Sequence, residues 1–149
     1  MTDVRFYHLT RSRMEAVLPV MLEKTLERDQ RAVVMAGSEE RVEAINGHLW
    51  TWNDRGFLPH GSEKDGFAED QPVWLTTGDE NPNAAQVLFL TDGATSERVA
   101  EFEICAVLFD GTDEAAVTSA RGLWRSYKDA GHEVTYWQQG ESGGWDKQA

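Results

Sequence analysis

"AVVMAGSEERVEAINGHLW", residues Ala32 to Trp50, holds a complete strand-turn-helix unit. Its first five residues are a continuous apolar run without the alternation of a sheet that has one wet face, which is how parallel strands buried on both faces read. Gly37 and Ser38 break the run. Ser38 stands where a helix N-cap belongs, and Glu39 and Glu40 follow at the end of the helix dipole that favours negative charge.

The same alternation extends in both directions. Upstream, "VRFYHL" (Val4–Leu9) reads as a strand, and Met14, Val17, Leu18, Met21, Leu22 and Leu26 then recur at helical spacing, with Pro19 an early irregularity. Downstream of Trp50 lie 22 residues, 51–72, dense in Gly, Pro and acids, which is long for an ordinary connection. Strands "VWLTT" and "AQVLFLTDG" follow, parted by the turn signal "GDENPN". A short helix is expected around "SERVAEF", then the strand "EICAVLF". The last long helix spans Asp113–Ala130 and stops at Gly131, and "EVTYWQQ" is the final strand. Strands therefore begin near Val4, Ala32, Val73, Ala85, Ile104 and Val134. The predicted fold is α/β: a mostly parallel twisted sheet with helices on both faces, one domain over residues 1–139 and a fraying tail over 140–149.

Composition narrows the function. With 26 acidic against 14 basic side chains and a formal charge of -12, the chain is unsuited to coating a phosphate backbone, so DNA is expected to be reached only indirectly. The single Cys105 sits in an apolar run and reads as a small buried hydrophobe of a reducing compartment. No apolar stretch approaches the roughly 18 residues that cross a bilayer. A cytoplasmic protein, monomeric when alone, is the expectation.

Catalytic patterns are sparse. The first strand runs into "TRSRME" with no G-x-G-x-x-G, and no G-x-x-x-x-G-K-[ST] occurs. His8, His48, His60 and His132 stand at least 12 residues apart, in none of the spacings metal sites use. No Ser stands at a strand-to-helix elbow of the G-x-S-x-G type, since the string that fits, "GESGG" at residues 140–144, lies in the tail. The residues name no catalytic group, no cofactor and no metal.

One helix carries a sharper signal. Between Ser38 and Glu114 there are 17 acids and 4 bases, yet from Val117 to Ala130 the charges are Arg121, Arg125, Lys128 and one acid, Asp129. On a helical wheel Ala116, Ala120, Leu123, Tyr127 and Ala130 form an apolar face, while Arg121, Arg125 and Lys128 line the opposite side. Val117 and Trp124 fall at the border, so an indole lies alongside a row of cations. Such a surface suits an acidic peptide with an apolar end: guanidinium groups pair carboxylates bidentately, and the ring edge takes an apolar side chain. A solvated amphipathic helix would look similar.

The motifs "FYHL", "LW" followed by "FLPHG", and "ARGLWRSYKDAGHEVTYW" together resemble the chi subunit of bacterial DNA polymerase III holoenzyme, over roughly Val4 to Trp137. That resemblance implies a Rossmann-like, non-catalytic accessory protein of the clamp loader, associated with the replisome. It implies binding to the acidic C-terminal tail of single-stranded DNA-binding protein and, through another surface, to the psi subunit. Carried over by position, Arg121 looks like the family arginine that engages the tail. Trp124 stands where an aromatic, commonly tyrosine, is expected. Arg125 and Lys128 match basic positions one turn onward, and Val117 lies on the same border. For psi the resemblance points to Trp50, Phe57, Leu58, Pro59 and His60. Two other classes stay open on the residues alone: an α/β enzyme with a non-standard phosphate or cofactor site, and an acidic-peptide adaptor outside replication.

Overall fold

A computed structural model describes residues 2–10, 12–51, 59–141 and 144–148. Its strands are β1 (Asp3–Leu9), β2 (Ala32–Met35), β3 (Gly61–Ser62), β4 (Val73–Thr76), β5 (Val87–Leu90), β6 (Ile104–Asp110), β7 (Glu133–Gln139) and β8 (Trp145–Lys147). Three helices accompany them: α1 (Met14–Glu27), α2 (Glu39–Thr51) and α3 (Glu114–Asp129). The strands form one sheet in the order β3-β4-β2-β5-β6-β1-β7-β8. Every pairing is parallel except β7 with β8.

The apolar run that predicted a doubly buried strand has that environment in β2, all four of whose residues are buried, and β4 and β5 are buried throughout as well. Alternate side chains feed two cores. On one face Leu18 and Leu22 of α1, with Val42, Ile45 and Leu49 of α2, cover Val34, Leu75, Phe89 and Leu108. On the other, Ala120 and Tyr127 of α3 pack with Val4, Phe6, Leu88, Cys105 and Val107. The sheet is thus the middle of three layers, as expected, and a Rossmann-like sandwich describes it.

Local chemistry sets the ends of the elements. Ser38 Oγ accepts from the Arg41 amide (3.2 Å) at the start of α2. Asp113 caps α3, accepting from the amides of Ala115 (3.0 Å) and Ala116 (3.4 Å). Gly131, at φ +91°, turns the chain out of α3 in a conformation that a side chain would strain. α1 runs through Pro19, which is buried and forgoes one backbone hydrogen bond.

Four details depart from the sequence reading. The strand expected from Ala85 begins at Val87, because the Asn81 side chain both accepts from the Ala85 amide (2.7 Å) and donates to its carbonyl (3.2 Å), holding Ala85 in a turn. The helix expected at "SERVAEF" is a single 3-10 turn, Val99–Glu101. Thr2 Oγ1 lies 2.8 Å from the carbonyls of both Val99 and Phe102, which the next α-helical turn would need. The long connection supplies β3 and a 3-10 turn at Ala68–Asp70. Within residues 140–149, where a fraying tail is expected, Trp145–Lys147 pair with β7. The ring of Trp145 meets Tyr7 edge-on, with centroids 5.0 Å apart.

Candidate functional site: the basic face of α3

α3 joins β6 to β7 and crosses over β1, which lies between them. Ala120 and Tyr127 are buried against the sheet, and Ala116, Val117, Leu123 and Trp124 pack partly buried around them. Ala130, placed on the apolar face by its spacing, is exposed because it forms the C-cap where the helix leaves the sheet. Tyr127 reaches deepest. Its hydroxyl donates to the Ser96 carbonyl (3.3 Å), and burial pushes its pKa up to about 12.

Trp124 occupies the border position that the wheel predicts. Its ring meets Phe6 of β1 at 5.6 Å and Tyr136 of β7 at 5.9 Å, both edge to face. The opposite part of the side chain is open, and Lys128 Nζ lies 5.9 Å from the ring centroid, within cation–π range. Arg121, Arg125 and Lys128 are all exposed. None of the three has a carboxylate at ion-pairing distance among the described residues. Val117, Arg121, Trp124 and Lys128 follow one another at steps of 4, 3 and 4, so they form a single stripe along the helix. Three unspent cations thus flank an aromatic edge held rigidly from behind.

Sequence spacing did not reveal what holds that edge. His8 of β1, Phe109 of β6 and Tyr136 of β7 gather beneath the start of the stripe, with His8 5.0 Å from Phe109 and 5.8 Å from Tyr136 between ring centroids. His8 Nδ1 is hydrogen-bonded to the Tyr136 hydroxyl, which donates when the imidazole is neutral. Burial holds the His8 pKa below its ordinary value, and the Arg121 charge adds to that; a hydrogen bond with the Gly111 backbone and the charge of Asp110 oppose it. Tyr136 is pushed up by burial, partly offset by the same arginine. The motif "FYHL" offered a hint of His8; only the β1–β6 and β1–β7 registers show that three distant segments meet there.

The residues expected on a second surface are only partly visible. Trp50, in the last turn of α2, is 55% exposed, and its ring lies 4.9 Å from that of the buried His60. Pro59 is half-buried beside it in sequence, and Phe57 and Leu58 lie outside the described residues.

Beyond the carboxyl ends of β1, β5 and β6 is a cleft of about 920 Å³, where α/β folds commonly bind ligands. Several of its charged groups are already engaged. Arg41 bridges Glu15 and Asp92 at 3.1 Å each, Asp110 accepts from the Thr112 amide (2.8 Å) and hydroxyl (2.6 Å), and Asp113 caps α3. Cys105 is fully buried, its thiol pushed far above the ordinary range by desolvation. Among the described residues no three His, Cys, Asp or Glu side chains gather as a metal site would require. No described helix is long and apolar enough to cross a membrane.

The family model for the DNA polymerase III chi subunit, HolC, matches residues 1–135, which include every element from β1 to α3 and the whole basic stripe. The chain belongs to the chi subunit family. It is also similar to a protein of Rickettsia prowazekii (strain Madrid E) named probable DNA polymerase III subunit chi, at 30% identity over 105 residues. That match covers 68% of this chain and 64% of the relative. The family match ends before β8, so the edge strand and Trp145 lie beyond it.

Proposed function

We propose that this chain is a non-catalytic accessory subunit of a DNA polymerase III holoenzyme, linking the clamp loader to single-stranded DNA-binding protein by gripping that protein's acidic C-terminal tail on α3. The observation that carries the reading is the stripe itself: Arg121, Arg125 and Lys128 unpaired among the described residues beside a half-buried Trp124. An acidic tail ending in an apolar residue and a free carboxylate is complementary to it. The guanidinium groups receive carboxylates, and the apolar terminus lies on the indole edge near Val117. In a chain of formal charge -12, the stripe is a local exception to a surface that repels nucleic acid, so DNA is reached through the partner.

A second contact, to a psi subunit, would use the exposed Trp50 with Pro59 and His60, and Phe57 and Leu58 of the same segment. The exposure of Trp50 against His60 supports this assignment, since a large apolar surface left open commonly marks an interface. The expected setting is the cytoplasmic replisome, with the free chain monomeric. Retention of the purified chain on immobilised single-stranded DNA-binding protein, compared with the same protein lacking its last residues, tests the central link. Equal retention on both would reject it. Loss of psi co-purification on Trp50→Ala, with tail binding unchanged, would separate the two surfaces.

A further inference from the structure

The sheet face opposite α3 is only half covered. α1 and α2 pack over β4, β2, β5 and β6, and Tyr7 of β1 is half-buried at the edge of that core, while among the described residues no helix lies over β7 and β8 on this face. Beside α1 this leaves a groove of about 430 Å³. Its floor includes Tyr7 and Trp145, locked edge to face at 5.0 Å. Its α1 wall presents Val17, Met21 and Val20, the last 40% exposed.

The groove has a polarity. α1 returns from the carboxyl end of β1 toward its amino end, so Lys24, late in the helix, and Arg28, its C-cap, lie at the same end as Arg5, early in the strand. That end is cationic, and the other is aromatic, with Tyr7 and Trp145 beside Ser12 and Gln139, which are hydrogen-bonded to each other (3.1 Å). Among the described residues no carboxylate lines the groove, although the chain has 26 acids. Arg5 is paired with Asp3 (2.7 Å), but Lys24 and Arg28 have no ion-pair partner among the described residues.

We infer that this groove is a second docking site, for a short acidic amphipathic segment of a partner protein. Its apolar side chains lie along Val17, Val20, Tyr7 and Trp145, and its carboxylates meet Lys24 and Arg28. Charge complementarity selects this occupant: two copies of a chain of formal charge -12 repel one another as wholes, which a short acidic segment does far less, and an apolar segment alone would leave both cations unused. Because α3 lies on the other side of the sheet, a partner here and a tail on α3 can be held at once, which suits a bridging protein.

The test uses the full chain, 15N-labelled, and follows its tryptophan indole resonances, with Trp145 and Trp124 assigned by Trp145→Phe and Trp124→Tyr. The probe is an octapeptide, Leu-Ile-Phe-Leu-Glu-Asp-Glu-Asp, acetylated and amidated so that it offers no free terminal carboxylate. Saturable shifts at Trp145 are expected. Binding should weaken by at least about tenfold in a Lys24→Glu/Arg28→Glu double variant and by a similar factor when Gln and Asn replace the acids. It should be unchanged in Arg121→Ala. Both cations are exposed, so the double variant should fold, which an unchanged far-upfield methyl spectrum checks. Shifts centred on Trp124, shifts indifferent to the charge reversal, no shift at all, or Trp145 responding to a single-stranded oligonucleotide and not to the peptide would each overturn the inference.

Discussion

The indole of Trp124 meets the ring of Phe6 edge-on, with centroids 5.6 Å apart, while Phe6 itself is fully buried in the sheet. One side chain therefore joins the core to the surface where a partner is proposed to bind. Trp124→Ala should lower folding stability by about 2 kcal/mol, below the range for fully buried aromatics because one side of the ring is open. Trp124→Tyr should recover most of it. Chemical denaturation of both variants checks the ordering.

Asp113 holds the first turn of α3, and with it the orientation of the stripe two turns onward. Asp113→Ala should cost about 1 kcal/mol of stability, with Asp113→Ser close to wild type, since a serine hydroxyl can accept from the same amides. Thermal unfolding under matched conditions measures the difference.

Gly111 is close to the ring of His8: a Cβ there would stand 2.0 Å from His8 Cδ2 and 2.8 Å from the Leu9 carbonyl oxygen. Gly111→Ala should therefore destabilise by about 1–3 kcal/mol through overpacking. Combining it with His8→Ala should cost less than the sum of the two, because the ring contact is gone while the backbone contact remains. An additive double variant would show that the ring is not what Gly111 accommodates.

His8 also sets a pH dependence. Its folded pKa lies below the ordinary histidine value, so between those two values the unfolded chain binds a proton that the folded chain does not. Stability contributed by the neutral ring is present above the ordinary value near 6.5 and falls as pH drops through that window. Arg121 works with burial in this, and Asp110 and Gly111 against it. In His8→Gln the loss of stability between pH 7 and 5 should be smaller than in wild type. An identical slope would assign the acid sensitivity to other groups.

The architecture was legible where burial is written locally. The uninterrupted apolar run Ala32–Met35 marked a strand buried on both faces, and the spacing within α3 marked its buried and basic sides. What stayed hidden depends on contacts between distant segments. β8 has a short sequence with little strand character, and Tyr7, more than a hundred residues away, supplies the packing for Trp145. The turn that delays β5 rests on one asparagine side chain. In the same way, the wheel placed Arg121, Trp124, Arg125 and Lys128 on one surface but could not show His8, Phe109 and Tyr136 supporting it, because only parallel pairing of β1 with β6 and β7 brings those rings together.

Calorimetry with a peptide matching the partner's acidic C-terminus, its amidated form and a scrambled form tests the proposed role of α3 most directly. The natural peptide should bind most tightly, and amidation should weaken it by removing the charge that a terminal-capture site recognises. Arg121→Ala should lose about 1–3 kcal/mol of binding, the range for a charge-assisted hydrogen bond, while its stability changes by less than about 0.5 kcal/mol because the side chain is exposed. Equal affinity for all three peptides, or an Arg121→Ala variant that binds like wild type, would contradict the account and leave the basic stripe as a solvated helix face.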